Sequence, residues 1–200
     1  MKQSEIIQKL RKEMEKALKP GRFDHSLGVA YTSAAMAMAH GADVQKALIA
    51  GLLHDCAKNL PEEEQLKLLK KHHIEISSAE AANHALLHAK AGAWLARHRY
   101  DIDDTEILDA IRYHINGRPG MSTLEKIVYV ADFIEPNRKP LDCMEQIRRE
   151  AFTDLDAAVY HTADAVMGYL ATQDRPVDPA GEETREYYAR VMEDRRDTDV

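Results

Sequence analysis

Gly51-Leu52-Leu53-His54-Asp55-Cys56-Ala57-Lys58 closes an apolar run with an adjacent imidazole and carboxylate, and a lysine follows three residues after the carboxylate. The Leu-Leu pair would anchor the backbone in a core, so that His54 and Asp55 emerge at the end of a buried helix. Imidazole and carboxylate are the ligands that first-row metals take when no thiolate holds them. A His-Asp doublet also occurs by chance in many helices, so its meaning depends on the histidines and acids around it. Just upstream, Asp43 is placed to cap a helix whose Ala47, Leu48, Ala50, Gly51 and Leu52 are buried on most sides. If that helix continues, Lys58 faces the same way as His54 and Asp55, and its ammonium could neutralise a phosphate beside a metal. Otherwise it is a solvated lysine at a helix end.

Composition sets the frame. A chain of 200 residues with 9 Gly, 7 Pro and 6% aromatics, rich in Ala, Leu, Glu and Lys, is expected to form one mostly helical domain with its own core. Cys56 and Cys143 lie far apart and form no CxxC pair, which fits a reduced, intracellular setting. No segment has the pattern of a signal peptide or of a membrane span, so the expectation is a soluble cytoplasmic protein without a membrane partner. A formal net charge of -7 argues against a duplex nucleic-acid binder, yet leaves room for a small polyanion held by a few Arg and Lys.

Upstream of the doublet, Ile6, Ile7, Leu10, Met14 and Leu18 share one helical face, and Lys19-Pro20-Gly21 is expected to stop that helix. The next should start near Arg22 and end at His40, with Gly41 as its cap. His25 falls in line with Val29, Thr32 and Met36, one turn after Arg22, which fits a buried core histidine or a ligand. Downstream, Pro61 opens a charged surface helix from Glu62 to Lys71, and His72 and His73 should face solvent. A single helix is predicted from Ser78 to Tyr100. His84 and His88 have the i, i+4 spacing that lets two imidazoles share a metal, and the small residues after His88 favour that one. His98 is expected at the surface. Asp103 or Asp104 caps a helix ending near His114, before the turn Asn116-Gly117-Arg118-Pro119-Gly120.

Ser122 or Thr123 caps Leu124 to Glu135, apolar on nearly all sides, in which Asp132 is an anomaly. A buried carboxylate must be paired, hydrogen-bonded or bound to a cation, and an ion pair with a nearby Arg is the alternative to a metal. Helices from Leu141 to Arg149 and from Thr153 to Thr172 follow, with Asp156 and Asp164 outward. A loop spans 173–181, and a short helix that frays is expected from Glu182.

His25, His54, Asp55, His88, His114 and Asp132 thus come from several helices, each near a helix end or beside small residues. Six such ligands without a thiolate suit one or two divalent ions better than a structural zinc. Two ions about 3.5 to 4 Å apart, bridged by Asp55, would serve hydrolysis of a phosphoryl group. Gly-rich phosphate loops, GxSxG elbows and cysteine-nucleophile contexts are absent.

The order His25, His54-Asp55, His88, His114, Asp132 resembles the HD phosphohydrolase superfamily. More narrowly, Arg22-Phe23-Asp24-His25-Ser26-Leu27-Gly28-Val29, His54-Asp55-Cys56-Ala57-Lys58, His88-Ala89-Lys90-Ala91-Gly92-Ala93, Tyr113-His114 with Gly117-Arg118-Pro119-Gly120-Met121, and Tyr129-Val130-Ala131-Asp132-Phe133-Ile134-Glu135-Pro136-Asn137-Arg138 resemble the bacterial YqeK family. Pro176-Val177-Asp178-Pro179 extends the likeness more weakly.

The resemblance implies a single all-α HD-type helical bundle over 1–200, with core motifs in 22–138 and with C-terminal helices and a nucleotide-pocket loop in 141–200. It implies symmetrical hydrolysis of diadenosine tetraphosphate to two ADP, a metal-bound hydroxide attacking an internal phosphorus. The cofactor would be iron, one or two ions, with manganese or cobalt as substitutes. His25, His54, Asp55 and Asp132 would hold the metal, and His88 and His114 would touch phosphate or complete a second site. Asp55, Lys58, His88 and His114 would carry catalysis. Arg22, Arg138, Pro176, Val177, Asp178 and Pro179 would bind substrate beside His88 and His114. The partner is a dinucleoside polyphosphate or ADP, and a homodimer is admitted. His84 and the acidic tail match no motif. The rival readings are an HD nucleotidase for mononucleotides or deoxynucleotides, a nucleotide-binding regulator, and a structural bundle whose buried polar groups merely pair.

Overall fold

The computed structural model describes residues 3–173 and 178–198, and in these it is all-helical. Helix α1 (Gln3–Ala17) lays Leu10 and Met14 into the core. Helix α2 (Pro20–Ala39) starts earlier than its apolar pattern predicts, because Pro20 does not stop a helix but opens one. Its fixed φ suits the first helical turn, where its missing N–H costs nothing. The Lys19 amide then donates to Asn59 Oδ1 at 2.8 Å, tying the start of α2 to the loop after His54-Asp55. Gly41, at φ +64°, ends α2 as expected, and the Ala42 amide reaches back to the Ala37 carbonyl.

Helix α3 (Val44–Leu53) is capped by the Asp43 carboxylate, which accepts from the Gln45 and Lys46 amides. It crosses α2 so closely that a Cβ on Gly51 would meet the Ala30 Cα at 2.8 Å. This approach sets His25 on α2 beside His54 at the end of α3. The helix stops at Leu53 and gives way to tight turns, with Lys58 N donating to Asp55 O and Leu60 N to Ala57 O. Helix α4 (Glu62–Lys71) follows Pro61.

The helix predicted from Ser78 to Tyr100 is in fact broken. Helix α5 (Ser78–Ala82), capped by Ser77 and Glu80 acting reciprocally, ends at Asn83 with φ -135° and ψ 87°. A 3-10 turn (His84–Leu86) then leads into α6 (Leu87–Arg99). Asn83 uses its side chain to accept from the Ala85 amide, the local alternative to helix that asparagine offers. The break takes His84 off the face of His88.

Asp104 caps α7 (Thr105–Arg112), and Ser122 caps α8 (Thr123–Ile134) with Glu125 closing the box. Ile127, Val128, Val130 and Ala131 of α8 have no exposed surface, so this helix runs through the core. Helices α9 (Met144–Glu150), α10 (Leu155–Ala171) and α11 (Pro179–Thr198) complete the bundle. The last is far longer than the short helix expected, and it docks on α10. Tyr188 is 1% exposed, and its phenol oxygen accepts from the Met121 amide at 3.0 Å. Asp156 is not outward as predicted. Lys126 at 2.5 Å and Arg195 both pair with it, so it fastens α8 and α11 to α10. Cys56 and Cys143 are free thiols. No helix of the described residues is long and apolar enough to cross a membrane.

Candidate metal centre

Six side chains predicted to matter converge where α2, α3, α6, α7 and α8 meet. His54 is fully buried, and His25, Asp55, His88 and His114 nearly so. Asp55 stands at the middle. Its Oδ2 lies 3.3 Å from His54 Nε2 and 3.8 Å from His25 Nε2. Its Oδ1 lies 3.1 Å from His88 Nε2 and 3.8 Å from His114 Nε2. Asp132 Oδ1 closes the first group, 2.9 Å from His25 Nε2 and 3.6 Å from His54 Nε2.

The outer nitrogens explain how the rings are aimed. His54 Nδ1 donates to Gly51 O, His88 Nδ1 to Ala85 O and His114 Nδ1 to Ile111 O, each at 2.7 Å. A carbonyl can only accept, so the proton sits on Nδ1 and the neutral ring turns an Nε2 lone pair inward. All three use the carbonyl three residues before, a device available where a helix ends or begins. His25 differs: its Nδ1 partner is Glu135 Oε1 at 3.0 Å, a carboxylate 1% exposed whose other oxygen accepts from the Asn137 amide.

Four imidazole lone pairs and two carboxylates therefore face one another. The Nε2 atoms of His88 and His114 stand 3.3 Å apart, and those of His25 and His54 are buried with no hydrogen-bond partner. So many acceptors in one buried place require a positive charge among them, either protons or a cation. Three overlapping sets, His25-His54-Asp55, His54-His114-Asp132 and Asp55-His88-His114, each bring their donor atoms within 4.8 Å of one another. The nitrogen and oxygen donors, with lone pairs already aimed, fit a divalent metal.

The electrostatics agree. Burial works against a charged Asp55, but His54 and His88 overcome it and hold the carboxyl well below its ordinary range. Asp132 is likewise pushed down against burial by His25, His54 and Arg138. Burial opposes protonation of His54, yet Asp55 and Asp132 raise it. His114 is driven down to about 3 by burial and by its two histidine neighbours. Lys58 Nζ lies 3.2 Å from His88 Nδ1, and burial foremost, with Arg22 and Arg138, lowers its ammonium.

Arg22 and Arg138 were expected on phosphate, and the structure sets them on the two carboxylates. Arg22 Nη1 donates to Asp55 Oδ2 at 2.7 Å. Arg138 Nη2 donates to Asp132 Oδ1 at 2.5 Å and its Nε to the Asp132 carbonyl at 2.8 Å, so the ion pair weighed for Asp132 is present. Both arginine side chains remain about a third exposed, at 32% and 39%. His84, 3.6 Å from Glu62, lies outside the cluster. Asp178 accepts from Asn116 Nδ2 at 2.9 Å in a separate recess behind Gly117-Arg118-Pro119, and Pro179 opens α11. Pro176 and Val177 lie outside the described residues.

Two clefts open onto the cluster. One, of about 550 Å³, is lined by Asp132, His114 and Arg138 of the site together with Tyr129, Phe133, Leu141, Met144, Thr162 and Val166. The other, of about 420 Å³, is lined by Lys19, Gly21, Arg22, His25, Asn59, Glu135, Asn137 and Arg138. Glu135 and Asn137 had no role assigned from the sequence, where they appear only within the motif that runs from Tyr129 to Arg138. The signal for Glu135 was Gly28: a Cβ there would come within 3.0 Å of the Glu135 carboxyl carbon.

The HD domain family matches residues 22–137. The chain is 40% identical over 158 residues to the symmetrical bis(5'-nucleosyl)-tetraphosphatase of Bacillus subtilis (strain 168), covering 79% of this chain and 84% of that one. It is 38% identical over 160 residues to the protein of the same name from Halalkalibacterium halodurans, covering 79% and 83%. Among solved structures, a predicted HD superfamily hydrolase involved in NAD metabolism from Clostridium acetobutylicum superposes with a TM-score of 0.87 at 36% identity, over 91% of this chain and 96% of that one.

Proposed function

The chain belongs to the HD domain family, and from that premise we propose that it is a metal-dependent hydrolase that cleaves diadenosine tetraphosphate symmetrically into two ADP. The observation that carries the reading is the ring of inward-facing Nε2 lone pairs around Asp55, beside a cleft large enough for a nucleoside. The relatives of that name supply the substrate.

His25, His54, Asp55 and Asp132 would hold one ion, and His88 and His114 would share Asp55 with a second. Iron suits imidazole and carboxylate donors without thiolate, with manganese or cobalt as substitutes. A bound divalent ion activates water near neutral pH and offsets charge on phosphoryl oxygens. The residues do the rest. Arg22 and Arg138 fix the carboxylates and turn their remaining N–H groups to the phosphate chain, and the Lys58 ammonium adds charge next to His88. The oxygen of water joins one internal phosphorus, and the bridging oxygen departs with the other ADP. Lys58, Arg22 and Arg138 oppose the charge that grows on it. The reading takes 1–200 as one HD domain in the cytoplasm, acting without nucleic acid or membrane and open to a homodimer.

Chromatography of the products from iron-loaded or manganese-loaded protein, beside a chelated control, tests the assignment. ADP alone, lost on chelation, is expected. AMP with ATP, or no product, would overturn it in favour of asymmetric cleavage or of a mononucleotidase or regulator.

A further inference from the structure

The end of α8 carries more of the metal centre than its one metal-type ligand. Asp132 faces the cluster, and Glu135 holds His25 Nδ1. The Asn137 amide donates to the other Glu135 oxygen, and Arg138 pairs with Asp132. The sequence also leaves this end short of backbone donors, since the last carbonyls of a helix have no partner within it. Pro136 has no N–H to offer the Asp132 carbonyl, which accepts from Arg138 Nε at 2.8 Å instead. The Asn137 amide is taken by Glu135 Oε2 at 2.7 Å, and the Arg138 amide by the Glu135 carbonyl at 3.1 Å. The Ile134 carbonyl, in a residue 3% exposed, is left for a donor from elsewhere.

Arg148 is that donor. From α9, its Nε donates to Ile134 O at 3.0 Å and its Nη2 to Glu135 O at 3.3 Å. A guanidinium presents its N–H groups in a planar fork, which serves two successive carbonyls at once, and its charge suits the negative end of a helix. Neither bond goes to a metal-type ligand or to a side chain, so what Arg148 fixes is the main chain from which Glu135 springs. Helix α9 is a firm mount. Ile147 and Ala151 have no exposed surface, and His40 Nε2 donates to the Ala151 carbonyl at 2.7 Å. The adjacent Arg149 is a contrast, 70% exposed and paired with Glu145 on its own helix.

We infer that Arg148 is a positioning residue of the metal centre, acting at one remove: it sets the end of α8, and the end of α8 sets the Glu135 carboxylate that aims His25. The inference rests on the reading of the cluster as a metal site.

The test sets Arg148→Lys, which keeps the charge and loses the fork, against Arg149→Lys on the same helix. Losing the partner that orients a ligating imidazole costs about 10- to 100-fold in metal affinity, and Arg148→Lys, one step further out, should cost about 10-fold. Arg149→Lys should leave affinity unchanged. A double-variant cycle separates positioning from general loosening: once Glu135→Ala has removed the partner of His25, adding Arg148→Lys should lower affinity by less than about 2-fold more. A second readout needs no metal. In chelated protein the His25 Nδ1 proton, held by a buried carboxylate, should persist against exchange with water in the wild type and Arg149→Lys, and be lost from the NMR spectrum of Arg148→Lys. Should Arg148→Lys fail to fold, Arg148→Gln, which keeps a side-chain N–H for one carbonyl, takes its place. Unchanged metal affinity, a loss matched by Arg149→Lys, losses that multiply with Glu135→Ala, or a His25 proton as persistent as in the wild type would each overturn the inference. If the wild-type protein takes up no divalent ion, the metal reading itself fails, and the His25 proton alone decides whether Arg148 acts on that ring.

Discussion

Replacing Gly28 with alanine should damage the metal centre without touching any metal-type ligand. The added methyl would stand 3.0 Å from the Glu135 carboxyl carbon, nearer still to its Oε2, and 3.3 Å from Asn137 Nδ2. Glu135 cannot retreat into water, being 1% exposed and bonded through both oxygens, one to His25 Nδ1 and one to the Asn137 amide. Overpacking of this kind costs about 1 to 3 kcal/mol, against a gain of about 1 kcal/mol from replacing glycine inside a helix. The net loss is then roughly 0 to 2 kcal/mol, or a fall in Tm of up to about 8 °C for a chain of this size. The larger effect should be on His25. Losing the partner that orients a ligating imidazole typically costs about 10- to 100-fold in metal affinity. Gly168 in α10 is the control, since a Cβ there meets nothing within 4 Å; Gly168→Ala should be neutral or stabilising and leave metal binding intact. Metal titration and thermal melts of both variants decide the matter. A Gly28→Ala protein as stable as Gly168→Ala, with unchanged metal affinity, would refute the view that Glu135 aims His25.

Three further outcomes are expected. Asp55→Asn removes the carboxylate that faces both halves of the cluster, so metal content should fall to at most one ion per chain and hydrolysis should be lost; full metal content by elemental analysis would contradict the shared role. Stability of the metal-free protein should peak near the ordinary histidine value of 6.5: His114, held at about 3 in the fold, makes stability fall as pH drops below 6.5, by up to about 1.4 kcal/mol per pH unit. His54, raised by Asp55 and Asp132, makes it fall as pH climbs through its raised value, whereas the lowered Asp55 and Asp132 stabilise fully above the carboxylate range and lose that contribution only as pH falls below it. Denaturant titrations across that range check the peak, and a flat profile would sink it. Chelation should destabilise the loaded protein by about 4 kcal/mol at metal concentrations 1,000-fold above Kd; a melting curve indifferent to chelator would mean that the cluster pairs only with itself.

Much of the architecture was legible because its signals are local. Asp43, Asp104 and Ser122 cap helices where the sequence places them, and Gly41 ends α2 in the left-handed region. Pro20 and Asn83 misled because each has two uses: proline begins helices as readily as it follows them, and asparagine can trade helix for its own turn. The length of α11 was hidden by a tail mixing acids and arginines, whose helix depends on Tyr188 and Arg195 reaching partners elsewhere. The six residues of the cluster could be named from their types, but not the way they are oriented. Glu135 serves His25 across 110 positions, and Thr162 meets the cleft from a helix no motif reaches. Such pairings exist only once the bundle has closed.

The unequal reach of the histidine supports decides where the centre is vulnerable. His54, His88 and His114 each take direction from a carbonyl three residues away, so a single turn of chain is enough to point them. His25 waits for Glu135, near the far end of the matched segment. Three of the rings are thus aimed from within their own turns of chain, and the fourth is aimed only across the seam where α2 packs on α8, so a fault in that seam would be felt first at His25.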